Sequence, residues 1–134
     1  MTQWTPDTCA NPPCIFQYTD DGNATLTNTI RKCSRHSAQS DSAAYTNVKE
    51  ENQRKNQSYQ FVLDNSPTTA LFDTLPDGTK TLKNGITFSW SWSGTPPNTV
   101  LTITYTGISL TTNQKNTIQS ALNTRFGTGK VLIV

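Results

Sequence analysis

The chain has 134 residues, a length that suits one compact domain or a small module beside a larger core. Hydrophobic residues make up 33 % and charged residues 15 %, so the chain is rich in Thr, Ser, Asn and Gln, and a metal staple or a large intermolecular interface would help offset the entropy of ordering it. A net charge of +2 with no basic run argues against a dedicated nucleic-acid or anionic-membrane binder.

The opening "MTQWTPDTC" has neither the basic start nor the apolar stretch of a secretion signal, and the apolar runs elsewhere fall far short of a membrane span. The expected compartment is a reducing cytoplasm. Three cysteines cannot all pair within one chain. The glycosylation sequons at Asn23 and Asn56 are then chance matches.

All three cysteines and the only histidine fall between Cys9 and His36. Cys9-x4-Cys14 holds "ANPP" between its thiols, and the two prolines stiffen a loop that can aim both sulfurs at one point. From Cys14 the chain runs "CIFQYT", turns at "DDGN" and returns as "ATLTNTIRK". Phe16 and Tyr18 alternate with polar neighbours, Asp21-Gly22 supplies the turn, and Leu26 and Ile30 alternate on the way back, predicting a β-hairpin.

A hairpin returns the chain to its start and so carries Cys33 and His36, in C-x2-H spacing, back beside Cys9 and Cys14. Four N/S donors on two knuckles are the ligand set of a structural zinc site, which makes Cys9, Cys14, Cys33 and His36 the candidate metal ligands. The plainer alternatives are a Cys9–Cys14 disulfide with a spare thiol, or three small buried hydrophobes and a surface histidine. Catalytic zinc is disfavoured, because four protein ligands leave no open position. Arg31, Lys32 and Arg35 flank the second knuckle and would relieve the negative charge of three thiolates around a divalent ion.

Residues 42–63 contain no proline or glycine, follow an N-cap candidate at Ser40 or Asp41, and place acidic residues ahead of basic ones, predicting a helix. Ala44, Tyr45 and Val48 make one end apolar and Tyr59, Val62 and Leu63 the other. The middle stripe, Glu51, Asn52 and Lys55, is expected to be solvated, as in a helix that bridges two modules or lies across a partner. Ser66-Pro67 then opens a short helical turn bearing Leu71, Phe72 and Leu75.

In "ITFSWSWS", Ile86, Phe88, Trp90 and Trp92 share one face, and "VLTITYTG" repeats the pattern with Leu101, Ile103 and Tyr105; an antiparallel pair is expected. The Trp90/Trp92 stripe suits a core better than a stacking platform. Thr111-x-x-Gln114 is a capping box, Ile118, Ala121, Leu122 and Phe126 form a helical face, and Gly127 ends it. "KVLIV" makes a last strand. "GTGK" at 127–130 has the wrong spacing for a phosphate loop and precedes a strand.

The expected fold class is therefore α+β. A zinc-bound β-hairpin module (residues 1–40) is followed by a helical linker (41–76). An α+β core (77–134) then forms a ββαβ mixed sheet with one packed helix. No catalytic residue is assigned: with His36 on a metal there is no free histidine, no nucleophile motif and no pair of carboxylates placed by one element. No organic cofactor and no small-molecule substrate are expected.

The pattern W-T-P-D-T-C…C…Y-T-D-D-G-N…R-K-C-x-x-H, with the later "RFGTGKV", resembles a group of small tailed-bacteriophage proteins. The likeness covers the first 36 residues with specific motifs and the last 35 or so in pattern only. It departs at Ser34, where proline is expected. The resemblance implies a phage context with the four-donor set kept as a binding device; the location expected from that class is the virion, after synthesis in the host cytoplasm. It brings no assigned reaction. The leading expectation is a non-enzymatic virion component of capsid, neck or tail, touching other virion proteins or further copies of itself; the alternative is an intracellular zinc-ribbon adaptor for nucleic acid or a host protein.

Overall fold

The structure is a computed structural model in which residues 1–65, 78–81, 87–107 and 109–134 are described. The turn expected at Ser66-Pro67 with Leu71, Phe72 and Leu75, and Ile86 of the expected strand, lie outside the described residues. The fold class is α+β, and the chain divides into two compact units, residues 1–53 with 95–97, and residues 54–94 with 98–134. Neither unit contains a helix long and apolar enough to cross a membrane, among the described residues.

The first unit holds β1 (Thr2–Trp4), β2 (Ile15–Tyr18), β3 (Leu26–Arg31) and the start of α1 (Asp41–Asn65). The three strands form an antiparallel sheet in the order β1-β2-β3. The expected hairpin is β2 and β3; β1 is an addition, with Trp4 opposite Phe16. The turn differs from the expected Asp-Gly type. Asp21 accepts hydrogen bonds from the Thr19 hydroxyl at 2.7 Å and the Asn23 N–H at 3.2 Å, and the left-handed residue is Ala24, at φ 47°, rather than Gly22. Register shifts along β2 and β3 leave Phe16 opposite Thr29 and Ile15 opposite Arg31, so Ile30 is the unpaired residue of a bulge and is 50 % exposed. Cys14, Phe16, Cys33, Ala44, Tyr45 and Val48 form the core of this unit. Phe16 meets Tyr45 edge to face at 5.2 Å.

Helix α1 is 25 residues long, as its freedom from proline and glycine allows. Ser40 caps it, its hydroxyl accepting from the Ala43 N–H, and Asp41 in the first turn suits the positive end of the helix dipole. The expectation of a solvated middle is corrected: Glu51 is 2 % and Lys55 3 % exposed. Both charges are buried because each meets a partner from another element, which a helical wheel does not display. Glu51 faces Arg35 and His36, and the Lys55 ammonium lies 4.5 Å from the centre of the Trp90 ring.

The second unit contains β4 (Thr79–Thr81), β5 (Thr87–Ser93), β6 (Val100–Thr106), α2 (Thr112–Phe126) and β7 (Val131–Ile133). Its sheet order is β4-β5-β6-β7. Strands β5 and β6 pair antiparallel with Phe88 opposite Tyr105, Trp90 opposite Ile103 and Trp92 opposite Leu101. β7 runs parallel to β6, which requires the crossover that α2 supplies. This is the expected ββαβ order with β4 added at one edge.

The capping box at Thr111 is formed in both directions, and Gly127, at φ 100°, ends α2 with its N–H on the Asn123 carbonyl. Phe88, Leu101, Ile103, Ile118, Leu122, Val131 and, from α1, Val62 build the core. Trp90 is buried in it and Trp92 packs half-buried against it, with the Arg54 guanidinium 5.9 Å from the Trp92 ring centre. Ser91, Ser93 and Thr106 on the opposite strand face are exposed.

Candidate metal centre

Cys14 immediately precedes β2 and Cys33 follows β3, so antiparallel pairing sets them side by side, and the Cys33 N–H donates to the Cys14 sulfur at 3.1 Å. The tight turn after Cys33, with the His36 N–H on the Cys33 carbonyl at 3.0 Å, folds the imidazole back over the sulfurs. The 9–14 loop brings Cys9 in from the other side. The four expected residues thus converge, their donor atoms all within 4.8 Å of one another. All three cysteines carry free thiols, so the disulfide alternative is not the arrangement seen. The histidine is fully buried rather than on the surface, as are Cys14 and Cys33 to within 1 %.

A tetrahedral ion sets the distances that such donors must span. Bond lengths to zinc imply donor-to-donor edges of ~3.5 to 3.8 Å, and His36 Nδ1 lies 3.8 Å from the Cys9 sulfur and 3.7 Å from the Cys14 sulfur. The Cys33 sulfur is closer, at 2.8 Å from Nδ1, and would move outward by about 0.7 Å to reach such an edge. The donor chemistry suits a borderline-soft ion and leaves no donor position open, as in structural sites. The set is compatible with a metal site built from Cys9, Cys14, Cys33 and His36.

The other face of the imidazole is equally specified. His36 Nε2 lies 3.2 Å from Glu51 Oε2, and the Arg35 guanidinium grips the same carboxylate at 3.2 and 3.4 Å. Arg35 also donates to the Thr8 carbonyl, just ahead of Cys9. A carboxylate on Nε2 fixes the ring and directs Nδ1 toward the sulfurs, the arrangement that orients histidine ligands generally. Glu51 was missed in the sequence because it sits in the charged run "KEENQRK"; the available signal was an acidic residue on the first helix after the histidine.

The other flanking cations also brace the knuckles. Arg31 donates to the Pro13 carbonyl at 2.8 Å, and Lys32 to the Gln39 carbonyl at 2.7 Å while pairing with Asp41 at 3.1 Å.

Protonation in the cluster is unequal. A hydrogen bond from the Cys9 thiol is the main cause holding Cys14 down, to about 4, against its burial, and His36 adds to it. The same hydrogen bond, with burial, pushes Cys9 up. Burial disfavours a charged His36, yet hydrogen bonds to Cys14, Glu51 and Cys33 outweigh it and raise the imidazole to about 10. The surroundings thus favour the thiolate at Cys14, the form in which cysteine binds an ion, and the protonated imidazole at His36, whose proton a metal at Nδ1 would displace. Among the described residues this is the one group of histidine, cysteine or carboxylate side chains arranged to hold an ion. The chain matches no known family model, and neither a curated protein nor a solved structure is similar to it.

Proposed function

We propose that the cluster holds a structural zinc ion and that the chain is a zinc-stapled, non-enzymatic component of a tailed-phage virion, working through protein–protein contacts. The observation that carries the metal reading is the convergence of all four soft donors in a buried site backed by Glu51. Four protein donors closing a tetrahedron favour a staple over a Lewis acid, since water finds no place on the ion. The choice of zinc follows from the Cys3His set, a common ligand set of structural zinc sites.

The virion reading draws on the resemblance of the W-T-P-D-T-C…C-x-x-H pattern and on the low apolar content, which leaves assembly contacts as a source of stability. The basic residues beside the cluster support it over the nucleic-acid adaptor. Arg31, Lys32 and Arg35 each spend donors on backbone carbonyls, and two of them meet carboxylates, so less of their charge is offered to phosphate. Mass spectrometry of purified particles tests the proposal: the chain is expected at a defined copy number in virions, and its absence from particles, with tight salt-resistant DNA binding by the purified protein, would overturn it in favour of the adaptor.

A further inference from the structure

Away from the sulfur cluster, the first unit has a cavity of about 240 Å³ lined by Trp4, Tyr18, Tyr45, Lys49, Asn52 and Gln53 together with Ala24. Its walls are aromatic. Trp4 stands edge to face with Tyr45 at 6.3 Å and 78°, and Tyr18 lies tilted against Tyr45 at 6.4 Å. Tyr45 is fixed as the floor, because its hydroxyl donates to the Ala24 carbonyl at 2.7 Å and its ring is buried, whereas Trp4 and Tyr18 are half-exposed.

Its rim is polar and comes from one turn of α1. Lys49, Asn52 and Gln53 stand three and four residues apart and so share a face. The Lys49 ammonium lies 4.9 Å from the Tyr45 ring centre. Among the described residues, the Asn52 and Gln53 amides and the Lys49 ammonium make no side-chain hydrogen bond or ion pair, and Lys49 is the one charged residue of the lining.

We infer that this cavity is a binding site for a single saccharide ring carrying a carboxylate, such as a uronic acid. Each part of the lining selects for that chemistry. Flat aromatic faces suit the apolar C–H face of a pyranose, and planar amides suit its vicinal hydroxyls, which donate and accept at once. A purely apolar side chain would bury the rim donors without partners. A small inorganic anion would leave the rings unused, and an organic cation would be repelled by Lys49. The volume lies below the usual range for drug-sized ligands and so suits one ring rather than a chain of them. None of the lining residues is a metal donor, and the choice of ligand draws on no property of the metal.

The test is titration of the isotope-labelled full chain, as purified, with methyl glucuronide, methyl glucoside and acetate, followed by the side-chain N–H signals of Trp4, Asn52 and Gln53. Saturable shifts at those groups are expected with glucuronide, at a dissociation constant on the order of 1 to 10 mM, with several-fold weaker binding of glucoside and none of acetate. Lys49→Gln should bring glucuronide down to the glucoside level, and Asn52→Ala should weaken both sugars by about 10-fold. Both substitutions lie on the helix surface, and an unchanged amide spectrum elsewhere shows that each variant is folded. Failure of glucuronide to saturate, equal affinity for the two sugars, acetate binding at the same groups, or indifference to Lys49→Gln would each overturn the inference.

Discussion

Glu51 is a buried carboxylate whose oxygens are shared between the imidazole of His36 and the guanidinium of Arg35. Its value is orientation: it faces the nitrogen that looks away from the sulfurs and thereby presents the other one to them. Glu51→Gln keeps the shape and removes the charge, and it is expected to lower zinc affinity by about 10- to 100-fold while leaving one ion bound per chain at saturation. Competition against a chromophoric chelator measures this; unchanged affinity would mean that Glu51 only fills space. Backbone shape sets a second residue-scale limit at Gly94, which has φ +87° and where an added Cβ would come within 2.6 Å of the Asn98 carbonyl oxygen. Gly94→Ala combines a left-handed backbone with a clash against main chain and should destabilise the second unit by about 1–3 kcal/mol, read from denaturant midpoints.

Among the elements, α1 carries the most consequence and was the least legible in its middle. Strands β5 and β6 could be read from strict alternation and α2 from its capping box and Gly127, because those signals are local. The convergence of Cys9, Cys14, Cys33 and His36 was also legible, since a hairpin between two short-spaced pairs must bring them together. The burial of Glu51 and Lys55 was not, because a charged residue on a helix reads as solvated until its partner is known, and Arg35 and Trp90 arrive from distant chain. Strand β1 has three residues, too short for alternation to show, and the bulge at Ile30 reverses the expected facing in a way that only pairing reveals.

Further along α1, Tyr59 stacks on Phe88 at 5.7 Å, and burial, helped by Tyr105, pushes its phenol up to about 12 from an ordinary 10.0. The folded state binds that proton more tightly than the unfolded one. The stabilisation is therefore fully present below pH 10 and is lost as pH rises toward about 12. Tyr59→Phe should flatten this alkaline fall in melting temperature; a fall of unchanged steepness would assign it to another group.

At the scale of the whole molecule, the two units have separate cores, one around Phe16 and Tyr45 and one around Phe88, Ile103 and Leu122. Only the first contains the donor set. Chelation should therefore raise amide hydrogen exchange through β1, β2 and β3 while leaving β5, β6 and β7 protected. Equal loss of protection in both sheets would show one cooperative core instead.

The measurement that bears most directly on the metal claim is the zinc content of the full chain, purified without added metal and compared with its Cys33→Ser variant. One zinc per wild-type chain is predicted, with loss of the ion and of the structured first unit in the variant, since structural zinc contributes on the order of 10 kcal/mol to small modules. A fully structured wild-type chain that contains no zinc and holds Cys9 and Cys14 as a disulfide would contradict the account.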